Sequence, residues 1–244
     1  MQGLKKLIVK VIQFLYRNTA NRSDLGFDIG DTPDPLFGYM SGTPIDRYLI
    51  DNAFSSLKNV ESFNVPIKSG IEVGDIRYLN LYFKDINKVR LHFLEGEQLH
   101  FNSDTEVAGD LTAQGCEVTS CFDIAILTQV LSFVKDDLCA IKNFRQMMKP
   151  NALLIGSEPL VAPLSIYDDS RWGENRRYTP KSLRALLEQE FEIIEFKVLG
   201  NAVSSAALVL GIPLESLNKE LLETSRQSHG CSMFYIAKKI TETD

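Results

Sequence analysis

Short polar turns follow four apolar segments of this sequence, and their residue types suit ligand binding. A glycine lets a backbone approach a ligand closely, and a carboxylate accepts hydrogen bonds from an ammonium group or a ribose hydroxyl. The turns are Glu72-Val73-Gly74-Asp75, Glu95-Gly96, Gly109-Asp110-Leu111 and Thr128-Gln129. Taken alone, the first is more often an ordinary strand-to-helix turn. Because ligands of open α/β sheets lie beyond the carboxyl ends of the strands, the four together predict one binding site.

The segments that must position these turns alternate between strand and helix patterns. The run at 122–130 is almost continuously apolar, which is typical of a central strand covered on both faces. Two helices are predicted to begin at Thr43-Pro44 and Thr179-Pro180, with threonine as N-cap and proline at the first helical position. The predicted strands include 70–73, 88–94, 122–130, 152–156, 191–199 and 231–238, and the predicted helices are 44–57, 135–148, 180–189 and 202–210. This alternation predicts a doubly wound, Rossmann-like α/β sheet, mostly parallel with an antiparallel C-terminal strand and with helices on both faces.

Composition is that of one globular domain, or of a core domain with appended segments. With 44% apolar and 24% charged residues, wholesale disorder is excluded, and no apolar run reaches the roughly 18 residues of a spanning helix. Four cysteines without a C-x-x-C pair, and a start without a signal-peptide pattern, favour a reducing cytoplasm. Three scattered histidines predict no metal site.

Charge is uneven along the chain. The first 23 residues hold five bases and no acid, so the formal net charge of −6 becomes −11 for the remainder, with 21 bases against 32 acids. An acidic body without a basic stripe predicts no nucleic-acid partner.

Residues 1–17 place apolar side chains on one helical face and lysines elsewhere, which predicts a basic amphipathic helix. A polar linker over 18–35 and the main domain over 36–240 follow. The helix either lies on an anionic membrane, as a peripheral protein at the inner membrane face would, or packs on its own domain or a second subunit.

The successive motifs of the body resemble those of class I S-adenosylmethionine-dependent methyltransferases, in particular the methyltransferase-11-like group. This resemblance covers most of the chain and rests on Glu72-x-Gly74, Gly109-Asp110-Leu111, 122–129 (FDIAILTQ) and 148–154 (MKPNALL). Further motifs resemble a bacterial subgroup associated with polysaccharide and glycosyltransferase gene neighbourhoods. They are Phe37-Gly38, 42–48 (GTPIDRY), Arg171-Trp172-Gly173 and Arg177-Tyr178-Thr179.

The resemblance implies that S-adenosylmethionine is the cofactor and that the polar turns hold it. It places Glu72 and Gly74 beside the methionine part, with Asp75 in the same turn. Asp110 would face the adenine amine, and Leu111 would donate a neighbouring amide.

The resemblance also assigns residues to the sulfonium and to the ribose. Thr128 and Gln129 would line the floor near the sulfonium. An acid after the second strand normally accepts from the ribose hydroxyls; His92 occupies one alignment of that acid, and Glu95 is the nearest carboxylate.

The first loop departs from the family pattern, because E/D-x-G-x-G-x-G is reduced to Glu72-Val73-Gly74-Asp75-Ile76-Arg77. A dinucleotide needs further glycines for close approach of its pyrophosphate, so the loss argues against NAD or FAD. S-adenosylmethionine carries no phosphates, and one glycine suffices for it.

Methyl transfer to a hydroxyl proceeds by in-line displacement and benefits from a general base. The candidate bases near the expected mouth are Asp168, Asp169 and His92, and the sequence does not choose among them. Upstream of the first strand, Tyr39 and Arg47 are candidates for a lid over the cofactor and the substrate.

An irregular segment after the strand at 152–156 is the candidate acceptor site. Trp172 and Tyr178 would stack on a sugar, while Arg171 and Arg177 would pair with a phosphate or carboxylate. The alternative is a solvated loop that Trp172 attaches to the core.

Three functions compete at this point. The first is a methyltransferase that O-methylates a glycan, a nucleotide sugar or a lipid-linked saccharide. The second is a non-catalytic protein that keeps the fold and docks on a membrane-associated polysaccharide assembly, which the depleted glycine loop favours. The third, a short reductase, is disfavoured by the missing dinucleotide fingerprint.

Overall fold

The computed structural model of the protein describes residues 42–57, 66–222 and 228–240. The predicted helix over 1–17, the linker over 18–35 and Tyr39 lie outside the described residues. The membrane association of that helix therefore stays a prediction.

An eight-stranded mixed sheet forms the centre of the molecule. The strands are β1 (Ser69–Val73), β2 (Asn87–Phe93), β3 (His100–Ser103), β4 (Glu106–Gly109), β5 (Phe122–Thr128), β6 (Met148–Pro159), β7 (Phe191–Leu199) and β8 (Ser232–Lys239). Their order is β3-β4-β2-β1-β5-β6-β8-β7. Neighbouring strands from β4 to β6 pair in parallel, and β8 is antiparallel to both β6 and β7. The predicted α/β sheet is confirmed, including the antiparallel C-terminal strand.

Helices cover both faces of this sheet. They are α1 (Ile45–Ser55), α2 (Arg77–Tyr82), α3 (Asp137–Met147), α4 (Ile166–Trp172), α5 (Pro180–Leu187) and α6 (Ala202–Leu210), with 3₁₀ turns at Leu214–Ser216 and Lys219–Leu222. One core lies between the sheet and α3 and α5, and a second lies between the sheet and α1, α2 and α6. Burial on both faces explains why the central strands are almost continuously apolar.

The two predicted threonine caps have different outcomes. Thr179 caps α5 as predicted, because its side chain accepts from the Ser182 amide in a capping box. Thr43 does not cap α1, which begins at Ile45 without a side-chain cap. Instead, the Thr43 hydroxyl donates to the Glu215 carboxylate at 2.7 Å, so a distant partner competes successfully for the capping group.

The strand β3 was not predicted from the sequence. It forms an antiparallel pair with β4 at the edge of the sheet, where His100 lies opposite Ala108. Its four residues are polar or half-exposed, so they show no apolar alternation from which a strand could be predicted. Within the described ranges, no helix is long and apolar enough to cross a membrane.

Candidate active site

The parallel strands end at one side of the sheet, which we call the carboxyl edge. Strand order reverses there, because β1 lies between β2 and β5. The turns after β1, β2, β4 and β5 therefore meet at this edge, as the sequence predicted. In open α/β sheets this switch point is where ligands bind.

Two glycines leave open space at the carboxyl edge. Gly74 follows β1 with φ of 76°, and Gly96 follows β2 with φ of 75°. A Cβ atom built on either would meet no other atom within 4 Å. These left-handed positions favour glycine, and they leave bare backbone that a ligand can approach. Asp75 continues the turn after Gly74 and is exposed.

Glu72, the last residue but one of β1, is turned toward the protein and is 2% exposed. Its carboxylate accepts from the backbone amides of Tyr78 at 3.1 Å and Leu79 at 2.9 Å, which anchors the start of α2. Burial raises the pKa of Glu72 to about 7, although the two amide hydrogen bonds oppose that rise. Glu72 thus shapes the turn around Gly74.

A polar network joins α1 to α2 beside this turn. Arg47 donates to the Tyr78 hydroxyl at 3.2 Å, and that hydroxyl donates to Asp51 at 2.9 Å. Asp51 also pairs with Arg77 at 2.6 Å. Arg47 therefore lies near Glu72 and the turn after β1, and its place in a lid over the cofactor and the substrate stays a prediction.

The tip of β5 is held by α1. Gln129 has a φ of 54°, which is uncommon for a residue with a side chain. Its backbone amide donates to the Ser157 carbonyl at 2.6 Å, and its carboxamide donates to Asp46 at 2.8 Å. Thr128 lies opposite Ser157, whose buried hydroxyl has no partner among the described residues. The structure thus brings together Thr128, Gln129 and Asp46, and Asp46 was missed by sequence reasoning.

The carboxylate in the turn after β4, that of Asp110, accepts hydrogen bonds from the protein itself. Asp110 accepts from the Gly96 amide at 3.0 Å and from the Thr112 amide and hydroxyl, both at 2.8 Å. Burial raises the pKa of Asp110, but these hydrogen bonds outweigh it, so the pKa lies below the usual value. Leu111, the next residue, is buried. Both Asp110 oxygens therefore already have donors, and they link the turns after β2 and β4.

Both residues that are predicted to bind the ribose are exposed. Glu95 is exposed and pairs with Lys135 at 3.3 Å. His92 lies on the exposed face of β2, opposite Ala108. Their roles stay predictions.

The other two candidate bases lie within α4 and accept hydrogen bonds from the residues that flank this helix. Asp168 accepts from the Ser165 hydroxyl at 2.6 Å at the start of α4, and Asp169 accepts from the Glu174 amide at 2.8 Å at its end. Each acid thus has a partner within the protein, and its role as a general base stays a prediction.

Of the candidate acceptor residues, some are exposed and others are bonded within the protein. Trp172 is 46% exposed and packs edge-on against Phe133 at 6.1 Å, and Arg171 stacks on the Tyr167 ring at 3.5 Å. Tyr178 is instead 5% exposed and donates to Asp137 at 2.7 Å, so its ring faces the core.

Arg177 has partners within the protein. It pairs with Glu174 and donates to the Pro163 carbonyl at 2.9 Å. The predicted pairing of its guanidinium with a phosphate or carboxylate ligand stays a prediction.

One further polar group at the carboxyl edge was not predicted. Glu158, near the end of β6, is completely buried and accepts from three consecutive backbone amides and the Ser132 hydroxyl. Burial raises its pKa to about 7, against the opposing effect of these hydrogen bonds. The available signal was an acid at the end of the apolar run Ala152–Ile155, since buried acids need partners.

Similar folds occur among solved methyltransferases. A putative sarcosine dimethylglycine methyltransferase from Galdieria sulphuraria aligns over 85% of this chain and 94% of its own, with 11% identity and a TM-score of 0.52. The N-methyltransferase NodS from Bradyrhizobium japonicum, solved with S-adenosyl-L-homocysteine, aligns over 83% of this chain and 91% of its own, with 10% identity and a TM-score of 0.47. An S-adenosylmethionine-dependent methyltransferase from Mesorhizobium loti aligns over 76% of this chain and its whole length, with 14% identity and a TM-score of 0.47.

The first of these alignments shows that the chain has the Rossmann-like fold of class I S-adenosylmethionine-dependent methyltransferases. No protein-family model matches the sequence, and no curated protein is significantly similar to it. The methyltransferase-11-like resemblance and the polysaccharide-associated subgroup therefore stay predictions.

Proposed function

We propose that this protein is a methyltransferase that uses S-adenosylmethionine. The main support for this proposal is the open backbone at Gly74 and Gly96. These glycines follow neighbouring strands at the switch point of a methyltransferase fold. The turn at Gly74 would hold the methionine part, with Arg47 near its carboxylate. Thr128 and Gln129 would line the floor near the sulfonium. When bound, the cofactor supplies an electrophilic methyl group.

The acceptor we propose is a hydroxyl of a glycan, a nucleotide sugar or a lipid-linked saccharide. The exposed rings of Tyr167 and Trp172 near the carboxyl edge support this class, since aromatic faces stack on sugars. Asp46 joins the sequence-derived bases as a candidate proton acceptor, because it contacts Gln129.

Titration calorimetry with S-adenosylmethionine and S-adenosylhomocysteine tests the cofactor assignment. Gly74→Ala places a methyl group in the open turn and is expected to weaken binding about tenfold or more. Gly173→Ala is the matched control, because Gly173 has a φ of 72° and comparable open space at the end of α4. It should carry similar backbone strain and keep wild-type affinity. Wild-type protein that binds neither compound at millimolar concentration would refute the proposal.

One observation favours a second candidate, a non-catalytic protein that retains the fold. Asp110 accepts three hydrogen bonds from the protein's own turns, so little of its acceptor capacity is left for an adenine amine. A chain that binds neither compound yet is properly folded would support this alternative.

A further inference from the structure

We propose that Glu158 is a positioning residue for the cofactor site. Its buried carboxylate sets the shape of the loop 129–133, and through Ser132 it couples this loop to the candidate acceptor segment 171–178. The inference rests on the proposed function, because its consequence for the site is measured as cofactor affinity.

The first step is the geometry around the carboxylate. One oxygen of Glu158 accepts from the amides of Val130 at 3.1 Å and Leu131 at 2.9 Å. The other accepts from the Ser132 amide at 3.2 Å and its hydroxyl at 2.8 Å. Successive amides that converge in this way form a concave site for an acceptor group, and here the acceptor is a side chain of the protein itself. The carboxylate therefore determines where the loop backbone runs.

The second step is the position of Gln129, immediately before these amides. Its left-handed backbone is unfavourable for a residue with a Cβ and persists only where the surroundings impose it. The Ser157 carbonyl holds Gln129 on one side, and Glu158 holds the next three residues on the other. If those amides were released, Gln129 could relax, and its carboxamide would leave Asp46.

The third step is the connection to the acceptor segment. The Ser132 carbonyl accepts from the backbone amides of Asn175 at 2.8 Å and Arg176 at 3.3 Å. The Asn175 side chain donates to the Phe133 carbonyl at 2.8 Å, and Phe133 supports the Trp172 ring. One loop thus forms the proposed cofactor floor and carries the exposed tryptophan, so displacement of the loop affects both.

Glu158→Gln tests this role, because glutamine keeps the size but replaces one accepting oxygen with a donor. Asp123→Asn is the matched control. Asp123 is also buried and accepts from two consecutive amides, Lys68 and Ser69, and from the Ser69 hydroxyl, but it lies where β5 begins. The readouts are calorimetric affinity for S-adenosylhomocysteine, hydrogen exchange of amides 130–132, and emission of Trp172, the chain's only tryptophan.

We expect Glu158→Gln to weaken binding about tenfold, to accelerate exchange at 130–132 and to shift the Trp172 emission to the red. Asp123→Asn should lower the melting temperature and leave all three readouts unchanged. A purely structural role of Glu158 would lower the melting temperature alone, and wild-type affinity with wild-type exchange would overturn the inference while the proposed function stands. If the wild-type protein binds no cofactor, both fall.

Ser132→Ala provides a second test should Glu158→Gln fail to fold, since it removes one donor and leaves the carboxylate in place. It is expected to weaken binding about threefold and to shift the Trp172 emission, whereas Ser69→Ala should do neither. Equal affinities of Ser132→Ala and wild type would contradict the role of Glu158.

Discussion

Two buried carboxylates, Asp123 and Glu158, lie at opposite ends of the central strands. Both accept hydrogen bonds from consecutive amides and a serine hydroxyl. At the edge where the parallel strands begin, Asp123 also pairs with Lys149 at 2.9 Å, and this set ties together the starts of β1, β5 and β6. At the carboxyl edge, Glu158 has four donors, and they all come from the loop 130–132. The first carboxylate joins strands, whereas the second shapes a loop.

Because their partners differ, the pKa values of Asp123 and Glu158 are shifted in opposite directions. Burial raises the pKa of Asp123, but the hydrogen bond from Lys149 and those from Lys68 and Ser69 outweigh it, so the pKa lies below its usual value. For Glu158, burial dominates and the pKa is about 7. Lys149, which is 38% exposed, thus stabilises the charged form of Asp123. Among the described residues, Glu158 is not paired with a cation in this way, so burial of its charged form is unfavourable. Such a cost is typical of functional sites.

The largest expected effect comes from truncating each carboxylate. Glu158→Ala leaves three buried amides and a hydroxyl without an acceptor, so the free energy of unfolding should fall by about 3 kcal/mol or more. Asp123→Ala should cost about 2 kcal/mol, because Lys149 can turn to water. Urea denaturation at neutral pH measures both. Equal losses would remove the distinction between the two edges.

A smaller effect separates the edges by pH. The folded chain keeps a proton on Glu158 up to about pH 7, whereas the unfolded chain loses it near the usual pKa of 4.5. The folded state binds more protons in between, so the free energy of unfolding should fall, by up to about 3 kcal/mol, as pH rises from 4.5 to 7.

Asp123 should behave in the opposite way. Its lowered pKa contributes stability that is complete above the usual value of 3.8 and is lost as pH falls through the folded value. Melting temperatures across this range are the measurement for both carboxylates. Glu158→Gln should flatten the decline above pH 4.5, and Asp123→Asn should leave it intact; Glu72 adds to the decline in either variant. A wild-type stability that rises over this interval would contradict the raised pKa values of Glu158 and Glu72.

The smallest expected effect concerns the lysine itself. Lys149→Gln should cost about 1 kcal/mol or less, because a partly exposed ion pair contributes little. High salt should reduce the difference between the variant and the wild type. A loss as large as that of Asp123→Ala would mean that the ion pair, and not the amide hydrogen bonds, stabilises this edge.

Much of the fold was predictable because periodicity is a local property. The predicted strand 191–199 and helix 202–210 coincide with β7 and α6, since their patterns depend only on neighbouring residues. The turns at Gly74 and Gly96 also follow strands as predicted, and Gly109 is the last residue of β4.

The partners of the site residues were not predictable in the same way. Asp46 contacts Gln129, 83 positions away, and Glu158 contacts Leu131, 27 positions away. Trp172 is exposed while Tyr178, an equally good candidate for stacking, is buried against Asp137. The order of apolar and polar residues alone determined which segments are strands or helices and where the turns between them lie. Only the tertiary structure decided which carboxylate meets which amide, because that depends on which strands become neighbours in the sheet.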